Sequence, residues 1–566
     1  MDPRLLFFVL TIAAVHCKDW WQSATFYQVY PRSFKDSDND GTGDLQGIIQ
    51  KLDYLVETGV QAVWLSPIYQ SPMVDGGYDI SDYRAIAPEY GTLEDFKQLV
   101  QSAHDKGLKV ILDFVPNHTS DQHEWFQKSV SREAGYEDYY LWVDGKVGDD
   151  GQIVPPNNWL SLWRNSGWEW NEVRQQYYLH QFSSKQPDLN YRSASVHNEM
   201  KDTMKFWLDL GVDGFRVDAV PHIYEDAQLR DEPLSNNSGV DPNNYDYLDH
   251  VYTKDQFETF QLIYDWRDFI DNYTATAGGD TRIFMTESAT SIENVILYYG
   301  TATGSRLGAH FSFNFYLLGA DESYKPADIC SSVVLWAIDL PSIYTANWLT
   351  GNHDNHRVAT RVGPRNVDGY NMLISIMDGV TITYMGEEIG QENGQVTCAQ
   401  GHDPSAIGNC STFDDLTRDF ERTPFQWDDS VNAGFNEGAE TWLPVSDKYN
   451  ETNLADQQKN NKSHYHTYQK LMKLKQTIAN QVANETTGFT IGGCDANVLF
   501  YEKQFDDLKY RLVFNLGPQQ ETTYLDAKDR YTVLVSSVNS TYETGQIIED
   551  SQIVLAPGDS VIVTNQ

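Results

Sequence analysis

The chain has 566 residues, 40% hydrophobic and 22% charged, with a formal net charge of −40. That length exceeds one compact domain, and the composition is that of a folded chain rather than a disordered one. So acidic a surface repels phosphate backbones and anionic headgroups, which argues against nucleic acid or membrane surfaces as partners and leaves a neutral ligand unopposed.

Residues 1–17 (MDPRLLFFVLTIAAVHC) read as a signal peptide: Arg4 supplies a positive start and Leu5 to Val15 an apolar stretch too short to span a bilayer. No other apolar run approaches the roughly 18 residues of a transmembrane helix, and the C-terminus DSVIVTNQ has no hydrophobic tail. The expectation is a secreted protein in an oxidising compartment. Of the cysteines left after cleavage, Cys398 and Cys410 share a loop and are expected to pair, whereas Cys330 and Cys494 either pair or stay as buried thiols. N-x-S/T sequons stand at Asn236, Asn272, Asn409, Asn450, Asn461, Asn484 and Asn539.

From there, short β-rich runs alternate with amphipathic helical stretches. The first strand is FYQVYPRSF (26–34). The loop after it, DSDNDGTGD (36–44), spaces Asp36, Asp38, Asp40 and Asp44 around Gly41. Hard oxygens so placed suit a structural Ca²⁺, since clustered carboxylates repel without a cation. Gly47 stands where an EF-hand needs its bidentate Glu, so the loop is not an EF-hand, and it also misses a dinucleotide fingerprint. Strands follow at AVWLSPIY (62–69) and KVILDFVPNH (109–118), with a helix at 93–107 between them. Residues 119–190, rich in Trp, Tyr, Asn, Pro and Gly, are too long for a simple loop and read as a small inserted domain. After a helix at 195–211 come five more strands: GFRVDAV (214–220), RIFMTES (282–288), GAHFSFNF (308–315), NWLTGNHD (347–354) and GVTITYMG (379–386). Eight such units favour a (β/α)8 TIM barrel over an open doubly wound sheet. The barrel domain then spans 18–118 and 191–484, ending in a helix at 463–479. From 485 to 566, runs such as NVLFYEKQF and QIVLAPGDSVIVT read as a C-terminal antiparallel β-sandwich.

Several strands end in ionisable residues. Asp113, Asn117 and His118 close the third, Arg216 and Asp218 the fourth, Glu287 the fifth, and Asn352, His353 and Asp354 the seventh. In a barrel these ends share one face. A carboxylate is costly to bury alone, and four strands doing so together point to a site. Acids beside an arginine suit glycoside hydrolysis, where one carboxylate attacks the anomeric carbon and another gives and then takes a proton. Arg216, two residues before Asp218 and on the same strand face, is expected to hold Asp218 ionised by lowering its pKa.

DFVPNH, GFRVDAV, the glutamate of MTES and GNHD resemble the four ordered motifs of the α-amylase superfamily, glycoside hydrolase family 13. QPDLN (186–190) resembles the mark of its α-glucosidase branch, and the chain is similar to insect maltases over nearly its whole length after residue 17. The resemblance implies a retaining, exo-acting α-glucosidase that removes terminal non-reducing glucose from maltose, short malto-oligosaccharides and sucrose. It makes Asp218 the nucleophile, Glu287 the general acid/base and Asp354 the transition-state stabiliser. His118 and His353 would bond sugar hydroxyls, Arg216 would orient the nucleophile, and Tyr78 would stack under the sugar. Asp75 and Arg422 would pair and clamp its non-reducing end. A backbone oxygen at Thr42 would join the Ca²⁺ ligands, and Asn117, itself in a sequon, would be buried and unglycosylated. The small Ala219 after the nucleophile resembles α-1,4-acting members, although a small residue also simply packs a barrel. Two other readings stay open: a transglucosidase with the same intermediate, and a non-catalytic binding protein such as the heavy subunits of amino-acid transporters. Those tend to lose the acids that this chain keeps.

Overall fold

The computed structural model describes residues 19–149, 151–237, 239–406, 410–481 and 488–565; the expected signal peptide, Asn409 and Asn484 lie outside them. Eight strands make one sheet: β1 (Thr25–Val29), β2 (Ala62–Leu65), β3 (Lys109–Phe114), β4 (Gly214–Val217), β5 (Ile283–Thr286), β6 (Phe311–Ser312), β7 (Asn347–Leu349) and β8 (Val380–Tyr384). Their spatial order is β6-β5-β4-β3-β2-β1-β8-β7, and every neighbouring pair is parallel. This is chain order read around a ring, with β6 and β7 at the seam. There a side chain replaces the backbone ladder. Asn347 Nδ2 donates to the Ser312 carbonyl at 2.7 Å, and Asn347 Oδ1 accepts from the Asn314 amide at 2.9 Å. The barrel is closed by that amide, as the alternation of eight units predicts.

All but one of the strand residues are buried, the half-buried exception being Lys109 at the start of β3, so the strands are near-continuous apolar runs rather than alternating ones. Gly214 opens β4 because a Cβ there would lie 2.3 Å from the Ile283 carbonyl oxygen of β5. The helix Leu93–Asp105 starts at a reciprocal Thr92–Asp95 capping box, and Ala194–Asp209 and Phe257–Ala277 continue the outer layer.

Between β3 and Ala194, a three-stranded antiparallel sheet (Trp142–Val143, Gln176–Leu179, Trp168–Asn171) packs around Trp159, Trp168, Tyr177 and Leu179. At the C-terminal end a six-stranded antiparallel sheet faces a two-stranded one, Glu521–Tyr524 with Gln552–Leu555. Leu525, Ile553 and Leu555 of the small-sheet segment meet Val513, Val533, Val561 and Val563 of the large one, which makes a sandwich. Cys330, on the helix Pro326–Asp339, is disulfide-bonded to Cys494, so barrel and sandwich are covalently tied; Cys398 is bonded to Cys410.

Among the described residues no helix is long and apolar enough to cross a membrane. Asn236, Asn272, Asn450, Asn461 and Asn539 are exposed, whereas Asn117 is buried and donates to Asp188 Oδ1 at 3.2 Å.

Candidate active site

The strands stop just short of the ionisable motifs, so Asn117, His118, Asp218, Glu287 and His353 lie in the first residues beyond the strand ends. Register brings them together. Arg216 of β4 pairs with Asp113 of β3, and Val217 pairs with Thr286 of β5, which sets Asp218 beside Glu287 on the next rung. The Glu287 amide continues that ladder by donating to the Val217 carbonyl at 2.9 Å.

Arg216 is the hub. Nη1 donates to Asp218 Oδ1 at 2.6 Å and to Asp113 Oδ1 at 2.7 Å, while Nη2 lies 2.9 Å from Glu287 Oε2. Its guanidinium lies over the Trp64 ring, 5.1 Å from the centroid. One cation thus serves three acids. Burial pushes Asp218 upward, and Glu287 and Asp113 add to that against the pull of Arg216, so the net direction is up rather than the expected down. Asp113 is likewise pushed up to about 6, by burial against Arg216. Arg216 does lower Asp218, but spacing along one strand does not reveal the competitor on the next.

Ala219, directly after Asp218, has φ +48° and ψ +35°, a left-handed conformation uncommon for a residue with a side chain. This turns its amide toward Glu287, donating to Oε2 at 3.0 Å. The backbone turn after Asp218 therefore positions Glu287.

Gln28 Nε2 lies 2.8 Å from His353 Nδ1, and an amide N–H can only donate. His353 Nε2 then donates to Tyr78 Oη at 2.6 Å, and Tyr78 donates to Asp113 Oδ2 at 3.1 Å. The Tyr78 and His353 rings are stacked, 5.3 Å apart and 6° from parallel. Burial holds His118 and His353 near 3, so both imidazoles are neutral.

Asp75 does not pair with Arg422 as expected. Its partner is Arg418, whose Nη2 is 2.9 Å from Asp75 Oδ1. Arg422 instead donates to Asp354 Oδ1 at 2.6 Å and to the His353 carbonyl at 2.8 Å. Burial raises Asp354, but His353, Arg418 and Arg422 outweigh it and hold the carboxyl well below the usual range. With His353 neutral, the two arginines carry that effect. Gln186 of QPDLN donates through Nε2 to both Asp75 Oδ2 and His118 Nε2, at 3.1 Å each. Sequence reasoning missed Arg418 and Gln186 as site residues. The one available signal was QPDLN itself.

These side chains line a pocket of about 90 Å³: Asp75, Tyr78, His118, Asp218, Glu287, His353, Asp354 and Arg418, with Ala219 and, from the insert, Trp163 and Phe182. Grooves of about 390 and 350 Å³ lie elsewhere and include none of these strand-end acids. A small pocket lined by four acids, aromatic rings and Arg418 suits a single neutral ring bearing hydroxyls.

In the acidic loop, carboxylate oxygens of Asp36, Asp38 and Asp40 lie within 4.8 Å of one another. Asp44 is differently employed: it caps the helix Leu45–Gln50 through Gly47 N (2.7 Å) and accepts from Ser37 N (2.7 Å) and Oγ (2.8 Å). The Thr42 amide donates to Asp40 Oδ1 at 2.8 Å. Burial, then repulsion from Asp40, Asp44 and Asp36, raises Asp38, the mark of a carboxylate cluster short of positive charge.

Residues 28–483 match the family described as alpha amylase, catalytic domain. The chain is 46% identical to Maltase 1 of Drosophila virilis, covering 96% of this chain and 87% of that one. It is 42% identical to a salivary alpha-glucosidase of Anopheles gambiae, covering 98% and 94%. Among solved structures, the alpha-glucosyl transfer enzyme XgtA superposes with a TM-score of 0.84 at 34% identity, over 97% of this chain and 100% of that one. A closed barrel with acids and arginines gathered at one end, and kinship along almost all of its length, place the chain in the α-amylase family of glycoside hydrolases.

Proposed function

We propose that the protein is a secreted, retaining α-glucosidase that removes single glucose units from the non-reducing end of maltose and short α-1,4 oligosaccharides. The observation that carries this reading is the shared guanidinium: Arg216 bonds both Asp218 and Glu287, and both line the same pocket.

Asp218 attacks the anomeric carbon as Glu287 protonates the departing glycosidic oxygen, the carbon–oxygen bond breaks, and glucose remains esterified to Asp218. Glu287 then takes a proton from water, which attacks the same carbon and releases glucose with its configuration retained. Asp354, kept ionised by Arg418 and Arg422, stabilises the positive charge that develops on the sugar ring. The neutral His118 and His353 offer hydroxyl contacts without competing for charge. Asp75 and Arg418 close the end of the pocket, which supports exo action, and the small Ala219 supports α-1,4 bonds.

Asp36, Asp38 and Asp40, with the backbone of Thr42, would hold a structural Ca²⁺, and Asp44 would fix the loop that presents them. Hard oxygen donors and a raised Asp38 support that assignment.

Product analysis on maltose, isomaltose and sucrose, with anomeric configuration followed in time, tests the function. Release of α-glucose from maltose supports it. β-Glucose would mean inversion, transfer products without free glucose would mean a transglucosidase, and an inert protein would mean a binding role.

A further inference from the structure

Arg418 faces three carboxylates, and its contacts with them differ in kind. To Asp75 and to Asp354 it makes one contact each, at 2.9 and 3.1 Å. To Asp403 it makes a fork, Nε to Oδ2 at 2.9 Å and Nη2 to Oδ1 at 2.7 Å, and the Arg418 backbone amide also donates to Asp403 Oδ2 at 2.6 Å. A single contact lets a guanidinium swing about the bonded nitrogen. A fork fixes its plane. Asp403 thus sets the direction of Arg418 and leaves its remaining donors facing Asp75 and Asp354.

Asp403 is 1% exposed and lines no part of the catalytic pocket. It is held in turn by Asp419, whose Oδ2 accepts from the His402 amide at 2.7 Å and the Asp403 amide at 3.1 Å. It also lies inside the loop closed by the Cys398–Cys410 disulfide, which joins positions 12 residues apart. From that loop Ala406 packs into a small apolar cluster with Val396 and Phe413, which flank it, and Leu443. A cross-link over so short a segment removes conformations in which the loop lifts away from this small apolar contact.

We propose that Asp403 is the positioning residue that aims Arg418 into the sugar pocket, and that the Cys398–Cys410 disulfide sets substrate affinity by holding Asp403 in place. The proposal rests on the α-glucosidase reading above. Asp403 touches no reacting atom, and its influence passes through Arg418 to the ring-binding end of the pocket.

The test is steady-state maltose hydrolysis by the full chain, its Asp403→Asn variant and a Cys398→Ser/Cys410→Ser variant that leaves Cys330–Cys494 intact. The expectation is a KM raised roughly tenfold in both variants, with kcat falling by less than about threefold. Asp403→Glu, which restores the charge at a displaced position, recovers part of the loss. A wild-type protein inert on maltose overturns the glucosidase reading and this proposal with it. An active wild type whose cysteine-pair variant keeps its KM, or loses kcat alone, overturns this proposal and leaves that reading standing. The cysteine-pair result stands by itself if Asp403→Asn fails to fold.

Discussion

Arg216 Nη1 lies 2.6 Å from the Asp218 carboxylate two residues along the same chain, yet it also bonds Asp113 at 2.7 Å. The cation beside Asp218 is divided among acids, so the ionisation of Asp218 depends on how many of them share it. The acid limb of kcat/KM therefore belongs to the group as a whole. Activity is expected to fall as pH drops toward and below about 6, the value to which burial pushes Asp113 within this group. Asp113→Asn removes one competitor for Arg216 and one negative charge, so the limb moves to lower pH. A pH profile of the two proteins checks this, and an unmoved limb counts against the shared-cation picture.

The two arginines divide their work. Arg418 faces Asp75 at the closed end of the pocket, and Arg422 braces Asp354 and the His353 carbonyl. Lysine supplies the charge but not the planar fork. Arg418→Lys is expected to raise KM on maltose roughly tenfold, and Arg422→Lys to act mainly on kcat by a similar factor. Initial-rate kinetics separate the two, and the reverse pattern would refute the division.

His464 gives a pH dependence of stability away from the site. Burial alone would lower its pKa, but Asp368, 2.8 Å from Nδ1, raises it overall. A histidine whose folded pKa is raised contributes stability that is fully present below the unfolded value of about 6.5 and is lost as pH rises through the folded value. Asp368 also accepts from the Val538 amide at 2.8 Å, so the pair joins the helix His464–Gln481 to the C-terminal sandwich. His464→Gln should lower the melting temperature more at pH 5.5 than at pH 8.5, measured by calorimetry.

Asp36, Asp38 and Asp40 line no part of the pocket, so removal of a Ca²⁺ held there should act on stability. Chelation is expected to lower the melting temperature while leaving room-temperature maltose turnover within about twofold. No thermal shift on chelation, or on Asp38→Asn, would remove the ion from the account.

What was legible in the sequence followed from local periodicity. Eight β-rich runs gave the barrel, and polar residues closing four of them gave one catalytic face, because strand ends in a barrel cannot point elsewhere. The pairing of Cys330 with Cys494 was open, since it links a barrel helix to the sandwich across 164 positions. Arg418 escaped notice for a related reason. It sits in the long irregular passage after β8, where spacing does not say which arginine reaches Asp75, and Arg422 only four residues on carries the same charge. The upward shift of Asp218 was hidden because it comes from burial and from acids on the neighbouring strands, Glu287 and then Asp113. The seam closed by Asn347 likewise depends on two strands that do not pair through their backbones.

The central claim is that Asp218 forms the bond to glucose. Asp218→Asn keeps the size and most hydrogen bonds of the side chain but removes the attacking charge. Measured on maltose alongside the wild type, the variant should lose on the order of 10⁴-fold or more in kcat/KM while unfolding at a melting temperature close to that of the wild type. Activity within about tenfold of wild type, in a protein that remains folded, would contradict the claim.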